Sequence, residues 1–191
     1  LHLCHHNLET IDTKSTTSDN AKHNLLAEVC MAAKYEGNSI ETYYTPYQNN
    51  NEGTASQLCT VLARSFADIG DIVRGKDLFR GNDEEKEKRK QLEKNLKKIF
   101  GKIHSEVTTK GKLKARYQDD APYYYQLRED WWTVNRATVW KALTCDARNN
   151  AEYFRQTCDG SGKTGTLTPS QCRCDDNQVP TYFDYVPQYL R

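Results

Sequence analysis

Seven cysteines constrain the fold of this chain more than any other feature of its sequence. They occupy positions 4, 30, 59, 145, 158, 172 and 174 of 191 residues, of which only 37% are hydrophobic. A sparse core benefits from covalent cross-links, and this cysteine density is unusual where thiols are kept reduced. Zinc is the alternative for the last four cysteines, but their C-x12-C-x13-C-x-C spacing lacks a zinc knuckle. The pattern favours disulfides, and the odd count predicts one cysteine without a partner in the chain.

Apolar residues recur at helical spacing in four segments. The clearest segment begins at Asn82 or Asp83, which can cap a helix, and places Leu92, Leu96, Ile99 and Ile103 on one face. The other three predicted helices span about 20–35, 54–73 and 127–144. The segments between and after these helices are predicted to lack regular structure: a connector at Gly37–Gly53, a linker at 105–122 and an irregular region at 146–187. The predicted fold class is mainly α: a disulfide-bonded helical bundle with long irregular loops.

Positive charge is concentrated in one part of the chain. Residues 86–116 carry a net charge of +9, whereas the remainder carries −8. Five lysines of the third predicted helix lie on or toward the face opposite its apolar stripe: Lys90, Lys94, Lys97, Lys98 and Lys102. Four more cations follow in the linker: Lys110, Lys112, Lys114 and Arg116. A solvated helix surface explains this pattern, and so does a site for sulfated glycan or a phosphate backbone whose affinity falls with salt.

No group of residues in the sequence forms a catalytic or metal site. Asp159–Thr164 resembles a phosphate loop, but Thr157 stands where that motif needs glycine. His5 and His6 beside Cys4 lack further ligands at metal spacing. Asp68 and Asp71 are interpreted as ion-pair partners of Arg64 or Arg74, and Arg128-Glu129-Asp130 as charge pairing at a helix end. Trp131, Trp132 and Trp140 are predicted to lie in the core rather than to stack on a ligand. We therefore expect neither enzymatic activity nor a cofactor.

Five blocks of sequence, in one order, resemble a known family. They are Leu1-His-Leu-Cys4, the run from Leu25 to Gly37, the run from Ala63 to Gly75, Arg128-Glu-Asp-Trp-Trp132 with Thr138-Val-Trp140, and Pro187-Gln-Tyr-Leu-Arg191. Together they resemble the alpha class of Duffy-binding-like domains in the malaria parasite's erythrocyte membrane protein 1 adhesins. The resemblance extends over essentially the whole chain.

This resemblance implies a helical adhesion module on the extracellular face of the infected erythrocyte, held at the membrane through a larger parent protein. It implies that residues 1–53 end a first subdomain and that 54–191 form most of a second, with a disulfide-pinned irregular region at 145–187 and no third subdomain. It also implies that Cys4 pairs outside the fragment. The implied disulfides within the chain are Cys30–Cys145, Cys59–Cys174 and Cys158–Cys172.

Three functions remain open at this point. The first is an antigenically variable adhesin whose basic residues bind a host red cell, as in rosetting; the resemblance implies heparan sulfate, complement receptor 1 or a blood-group sugar as partner, and antibodies as a further one. The second is a structural and antigenic scaffold without a binding site of its own. The third, an intracellular nucleic-acid binder using the same lysines, requires free thiols and is disfavoured by the cysteine pattern.

Overall fold

The computed structural model describes residues 17–48, 55–78, 81–109, 113–159 and 165–191. The α-helices of these segments are α1 (Ser18–Gln48), α2 (Ala55–Arg74), α3 (Asp83–Thr109) and α4 (Tyr125–Leu143). Beyond α4, the described residues contain two 3₁₀ helices, Phe183–Tyr185 and Gln188–Leu190, and two isolated β-bridges. The predicted mainly helical, disulfide-bonded fold is confirmed.

The described residues form two compact units. One contains those within Cys30–Gly70 and Arg136–Arg191, and the other contains 17–29 and Asp71–Asn135. In the first unit, Phe66 and Trp140 are buried and meet edge to face, with ring centroids 5.2 Å apart. The second unit contains all of α3. The subdomain boundary predicted at residue 53 lies outside the described residues and stays a prediction.

Helix α1 is longer than the sequence predicted. The expected connector over Gly37–Gly53 is wrong for residues 37–48, which continue the helix as far as Gln48. Contacts with distant parts of the first unit hold this half of α1. Ser65 donates to Glu36 (3.1 Å), and Arg148 donates to Glu41 (2.9 Å). These tertiary contacts override the weak local preference of a polar, tyrosine-rich segment for helix.

Gly37 allows α1 to lie against the end of α4. A β-carbon at this position would overlap the backbone carbonyl of Leu143, which cannot rotate away. We expect Gly37→Ala to lower the free energy of unfolding by about 2 kcal/mol, because overpacking outweighs the better helix propensity of alanine. Chemical denaturation measures this change.

Gly101→Ala in α3 is the matched control. There the added carbon would approach the hydroxyl of Tyr124 to 3.2 Å, and a side chain can move. Stability should stay unchanged or rise by up to about 1 kcal/mol. Equal effects of the two substitutions would contradict the contact assigned to Gly37.

Two disulfides link the first unit, and their pairing differs from the expected one. Cys59 of α2 bonds to Cys172, and Cys158 bonds to Cys174, with Cα–Cα distances of 5.5 and 5.3 Å. The expected pairs Cys59–Cys174 and Cys158–Cys172 are therefore wrong. The cause is a tight turn in which Gln171 and Cys172 both have positive φ, closed by the bond from the Arg173 N–H to the Ser170 carbonyl. This turn brings Cys172 to α2 and leaves Cys174 for Cys158.

The expected Cys30–Cys145 disulfide is also wrong, since both thiols are free. Gly37 and Asn38 of α1 contact Leu143 and Asp146, on either side of Cys145. Cys30 precedes Gly37 by seven residues, which corresponds to about 10 Å along a helix. That separation exceeds the Cα–Cα reach of a disulfide. Burial raises the pKa of the Cys30 thiol, which lowers the fraction present as the reactive thiolate. Cys4 lies outside the described residues.

The C-terminal segment is held by arginines. Arg136 of α4 donates two hydrogen bonds of 2.9 Å to the carboxylate of buried Asp184 and a third to the carbonyl of Thr181. Arg191 contacts Asp68 of α2 at 3.0 Å. Asp68 thus has an arginine partner, but that arginine is much further away along the sequence than the predicted Arg64 or Arg74. Asp71 pairs with Arg74 at 3.0 Å, as the sequence indicated.

Helix α3 begins at a capping box. The Asn82 side chain accepts the Glu85 N–H (2.9 Å), and the Glu85 carboxylate accepts the Asn82 N–H (3.1 Å), so the predicted cap is confirmed. The apolar face predicted for α3 is buried throughout. Its buried residues are Leu92, Asn95, Leu96, Ile99, Phe100 and Ile103. The three tryptophans of α4 are buried as predicted, at 7%, 0% and 2% exposure for Trp131, Trp132 and Trp140. Burying the stripe leaves the lysines of α3 on the outside.

Candidate functional site

An open groove of about 790 Å³ runs along the outer face of α3. It is lined by six cations of the helix, one carboxylate and two residues that precede α4. These residues are Lys86, Arg89, Lys90, Lys94, Lys97, Lys98, Glu93, Pro122 and Tyr124. Four of the nine predicted site residues, Lys90, Lys94, Lys97 and Lys98, therefore lie in one cavity. This places a strong positive charge on a concave surface, where it acts on a ligand from several sides.

Two of these lysines are uncompensated. Lys94 and Lys98 are exposed, and within the described part of the chain neither forms an ion pair or a side-chain hydrogen bond. The other four groove cations have acidic partners: Lys86 contacts Asp83, Lys90 contacts Glu87, Arg89 contacts Asp77, and Lys97 lies 3.7 Å from Glu93. The single groove carboxylate, Glu93, is already bound by Arg128 at 2.8 and 2.9 Å. An anion at Lys94 and Lys98 would thus meet charge that the protein leaves unpaired.

Aromatic residues form the edge of the groove. The Lys97 ammonium lies 4.4 Å from the ring centroid of Tyr123, a cation–π distance. Tyr123 stacks on Tyr125 with centroids 5.5 Å apart, and about half of each side chain is exposed. Tyr124 packs beside His104 of α3, with centroids 5.2 Å apart. Aromatic faces next to cations are suited to the rings and the anionic groups of an acidic sugar.

The start of α4 fixes this aromatic edge. Tyr124 is the last residue before the helix, and its carbonyl accepts the first helical bond, from the Arg128 N–H. Its φ of 58° lies in the left-handed region, and its phenol cannot cap the helix. Asp120 caps it instead by accepting the N–H groups of Gln126 (2.9 Å) and Leu127 (2.8 Å). The backbone thereby holds the Tyr124 ring against α3.

The remaining predicted site residues do not join the groove. Lys102 is half-buried, Lys114 lies exposed in a turn between α3 and α4, and neither lines the cavity. Lys110 and Lys112 lie outside the described residues. Arg116 forms two hydrogen bonds with Asp130, of 2.7 and 2.8 Å, which raise the pKa of its guanidinium and lower the pKa of the Asp130 carboxyl. Arg116 is therefore held by an acidic residue of its own chain.

Sequence reasoning missed Lys86, Arg89, Pro122 and Tyr124 as groove residues. The two cations belong to the basic segment already recognised by its net charge. The run Tyr123-Tyr124-Tyr125 was visible, but nothing in it signals that Tyr124 adopts positive φ and lies against α3. The aromatic edge is a product of tertiary structure.

Other features of the described residues bear on the alternatives considered above. Residues 160–164 of the loop resembling a phosphate loop lie outside the described residues, and those described at 165–169 are not helical. No three His, Cys, Asp or Glu side chains of the described segments approach closely enough to hold a metal ion. None of the described helices has the length and hydropathy needed to cross a bilayer.

The sequence profile of the Duffy binding domain matches residues 1–191. The chain belongs to the Duffy binding domain family. The helices, the disulfides and the basic groove of the described residues are therefore features of one Duffy binding domain chain. No curated protein matches it significantly.

Solved structures of Duffy-binding-like domains match the chain over nearly its full length. The NTS-DBL1(alpha-1) domain of the Plasmodium falciparum membrane protein 1 (PfEMP1) from the varO strain is 42% identical, with a TM-score of 0.77. The match covers 99% of this chain and 40% of that one. The ICAM-1-binding DBLbeta domain of PfEMP1 IT4var13 is 32% identical, with a TM-score of 0.69, over 100% of this chain and 39% of that one. This Duffy binding domain chain thus spans about two fifths of these relatives.

Proposed function

We propose that this chain is part of a cell-surface adhesion module that binds a host red-cell receptor, with the α3 groove as a site for sulfated or otherwise acidic glycan. Its action is binding rather than catalysis, at the extracellular face of the infected erythrocyte. Heparan sulfate is the partner whose chemistry fits the groove best. Rosetting-type adhesion is the cellular activity that such binding would support.

The unpaired cations in the groove carry this proposal. Lys94 and Lys98 are one helical turn apart on α3, about 6 Å along the axis. Pro122 and Tyr124 provide an apolar wall opposite such a ligand's charged groups. A polyanionic glycan offers both repeated negative charges and sugar rings, so it uses both features at once.

The comparisons support receptor binding as the broader activity. One relative is named as ICAM-1-binding. A solved structure shows the same domain bound to ICAM-1, and that domain is 31% identical to this chain. Binding of a host surface protein is therefore established for relatives of the same fold. Complement receptor 1 and blood-group sugars remain further proposed partners.

Charge reversal in the groove tests the glycan site. The double variant Lys94→Glu, Lys98→Glu removes two unpaired cations and adds two repelling charges without breaking any contact among the described residues. We expect it to pass through a heparin column at physiological salt, where the wild-type chain is retained. Each lost charge-assisted contact should weaken binding by about tenfold.

The matched control is Lys34→Glu with Arg64→Glu, which changes net charge by the same amount at two exposed positions outside the groove. It should elute at nearly the wild-type salt concentration. If both double variants lose retention equally, net charge alone governs binding and the groove is not the site. If neither variant loses retention, the lysines of α3 are a solvated surface.

A chain that folds but binds neither heparin nor red cells would support the second function, that of a structural and antigenic scaffold. Circular dichroism and the two intact disulfides would report the fold in the same sample.

A further inference from the structure

A second cationic cavity lies in the first compact unit, at the C-terminal end of α4. It has a volume of about 340 Å³, which is large enough for a single sugar. Its polar lining consists of Thr138, Lys141, Arg173, Asn177 and Gln178, and the buried Trp140 also borders it. Among the described residues, this lining contains two cations and no carboxylate. This cavity shares no lining residue with the α3 groove.

The turn that sets the disulfide pairing also places Arg173. Its Nε donates to the Thr144 hydroxyl (2.6 Å), and its Nη2 donates to the Lys141 carbonyl (2.7 Å). These two bonds fix the plane of the guanidinium at the end of α4. The Nη1 group makes no hydrogen bond within the described part of the chain, so one side of the guanidinium is left for a ligand.

Arg173 has no carboxylate partner among the described residues. Burial lowers the pKa of its guanidinium, and the nearby Cys145 acts in the opposite direction. Asp175 and Asp176 follow closely in sequence, but both are exposed and neither lines the cavity. A half-buried arginine is normally compensated by an acidic group, since the charged form loses hydration. Here the cavity is the place where a ligand can supply that group.

The rest of the lining provides further donors. Lys141 is exposed, and its ammonium has no ion-pair partner in the described segments. Thr138 is one turn before Lys141 on α4 and presents a hydroxyl. Asn177 adopts a φ of 61° and, with Gln178, adds side-chain amides to the lining; the Gln178 amide also donates to the Tyr182 hydroxyl (3.4 Å). Two cations, a hydroxyl and two amides form a donor-rich site for an oxyanion.

We propose that this cavity, lined by Lys141 and Arg173, binds the oxyanion group of an acidic sugar, either a sulfate ester or a carboxylate. Arg173 supplies a preorganised donor, and Lys141 supplies the second positive charge. The site takes a single residue of glycan, whereas the α3 groove takes an extended chain.

Ligand-observed NMR titration of the 191-residue chain tests this site. The probes are N-acetylglucosamine 6-sulfate, N-acetylneuraminic acid, neutral N-acetylglucosamine and inorganic sulfate. The titration uses the Lys94→Glu, Lys98→Glu background, in which the groove does not contribute, so its outcome is independent of the proposed function. We expect at least one of the two acidic sugars to bind and the neutral sugar to fail; the acidic sugar that binds identifies the source of the oxyanion.

Lys141→Glu is the decisive substitution. Lys141 accepts the bond from Arg173 through its backbone carbonyl, which the substitution keeps, so the fold should be unaffected. It should weaken binding of the acidic sugar at least tenfold. Lys34→Glu is the matched control on α1 and should leave binding unchanged. Equal binding of the neutral sugar, unchanged affinity in Lys141→Glu, or binding of inorganic sulfate alone would each overturn the proposal.

Discussion

Replacing Cys59 and Cys172 together by alanine is expected to lower the free energy of unfolding by about 4–5 kcal/mol. The bond joins residues 113 positions apart, so it removes a large part of the conformational entropy of the unfolded chain. Cys59 is fully buried on α2, and Cys172 is fully buried in the tight turn beside Trp140. The loss should appear as a lower midpoint in guanidinium denaturation and a lower melting temperature.

The second disulfide provides the comparison. Cys158–Cys174 spans only 16 positions, so its removal should cost about 3 kcal/mol by the same loop-entropy relation. Cys30→Ala removes a free thiol and serves as the control for the substitution itself. If the shorter bridge proves the more stabilising one, or if loss of Cys59–Cys172 leaves stability unchanged, the long loop is already restrained by other contacts.

The second large effect is expected at Arg128. Its side chain is fully buried, donates to the carbonyls of Ile72 (3.1 Å) and Val73 (2.6 Å), and binds the Glu93 carboxylate with both Nη groups. One guanidinium thus satisfies the C-terminal end of α2 and also contacts α3. Gly75, with a φ of 73°, ends α2 and leaves space for it, since a β-carbon there would lie 2.9 Å from Nη1.

We expect Arg128→Met to lower the free energy of unfolding by about 3 kcal/mol, because it leaves buried carbonyls unsatisfied and Glu93 without its main partner. The estimate is at the lower end for a buried pair because Glu93 is 35% exposed and regains some hydration. Urea denaturation of both proteins at neutral pH measures the difference. Arg128→Lys should recover only a small part of the loss, since an ammonium cannot reproduce the planar fork.

Arg116→Met is the matched control for Arg128→Met. Arg116 also forms a two-point contact with a carboxylate, but half of its side chain is exposed and the contact is screened by water, so its loss should cost far less than the loss of Arg128. Similar losses at the two positions would show that burial does not decide the energetic weight of these arginines.

The sequence predicted those parts of the fold that have a local signature. Helices α2, α3 and α4 follow from apolar periodicity, and Asn82 with Glu85 is a local capping signal. The second half of α1 lacks such a signal, because Gly37 and the tyrosines after it become helical only through contacts with distant residues. Arg128, Glu129 and Asp130 were interpreted as local charge pairs, yet their partners are Glu93, Lys76 and Arg116 on other segments. Ion pairs between residues on different segments cannot be predicted from their spacing in the sequence.

The candidate site was predictable to the same extent. A lysine-rich helix with one apolar face must present its lysines outward, so four groove residues could be named from the sequence. The aromatic edge depends on Tyr124 at positive φ, and the second cavity depends on Gln171 and Cys172 at positive φ. Glycine or asparagine at such positions would have indicated a turn, whereas glutamine, cysteine and tyrosine do not.

The bond between Cys158 and Cys174 has a consequence for how this protein can diversify. It closes a loop of 16 positions, and the β-bridge between Cys158 and Thr166 closes a shorter loop inside it. The entropy of closing a loop rises only slowly with its length, by about 0.6 kcal/mol for each doubling. We therefore expect insertions or deletions between Cys158 and Thr166 to cost the frame little. Cys172, later in the same disulfide loop, must be kept for its bond to Cys59.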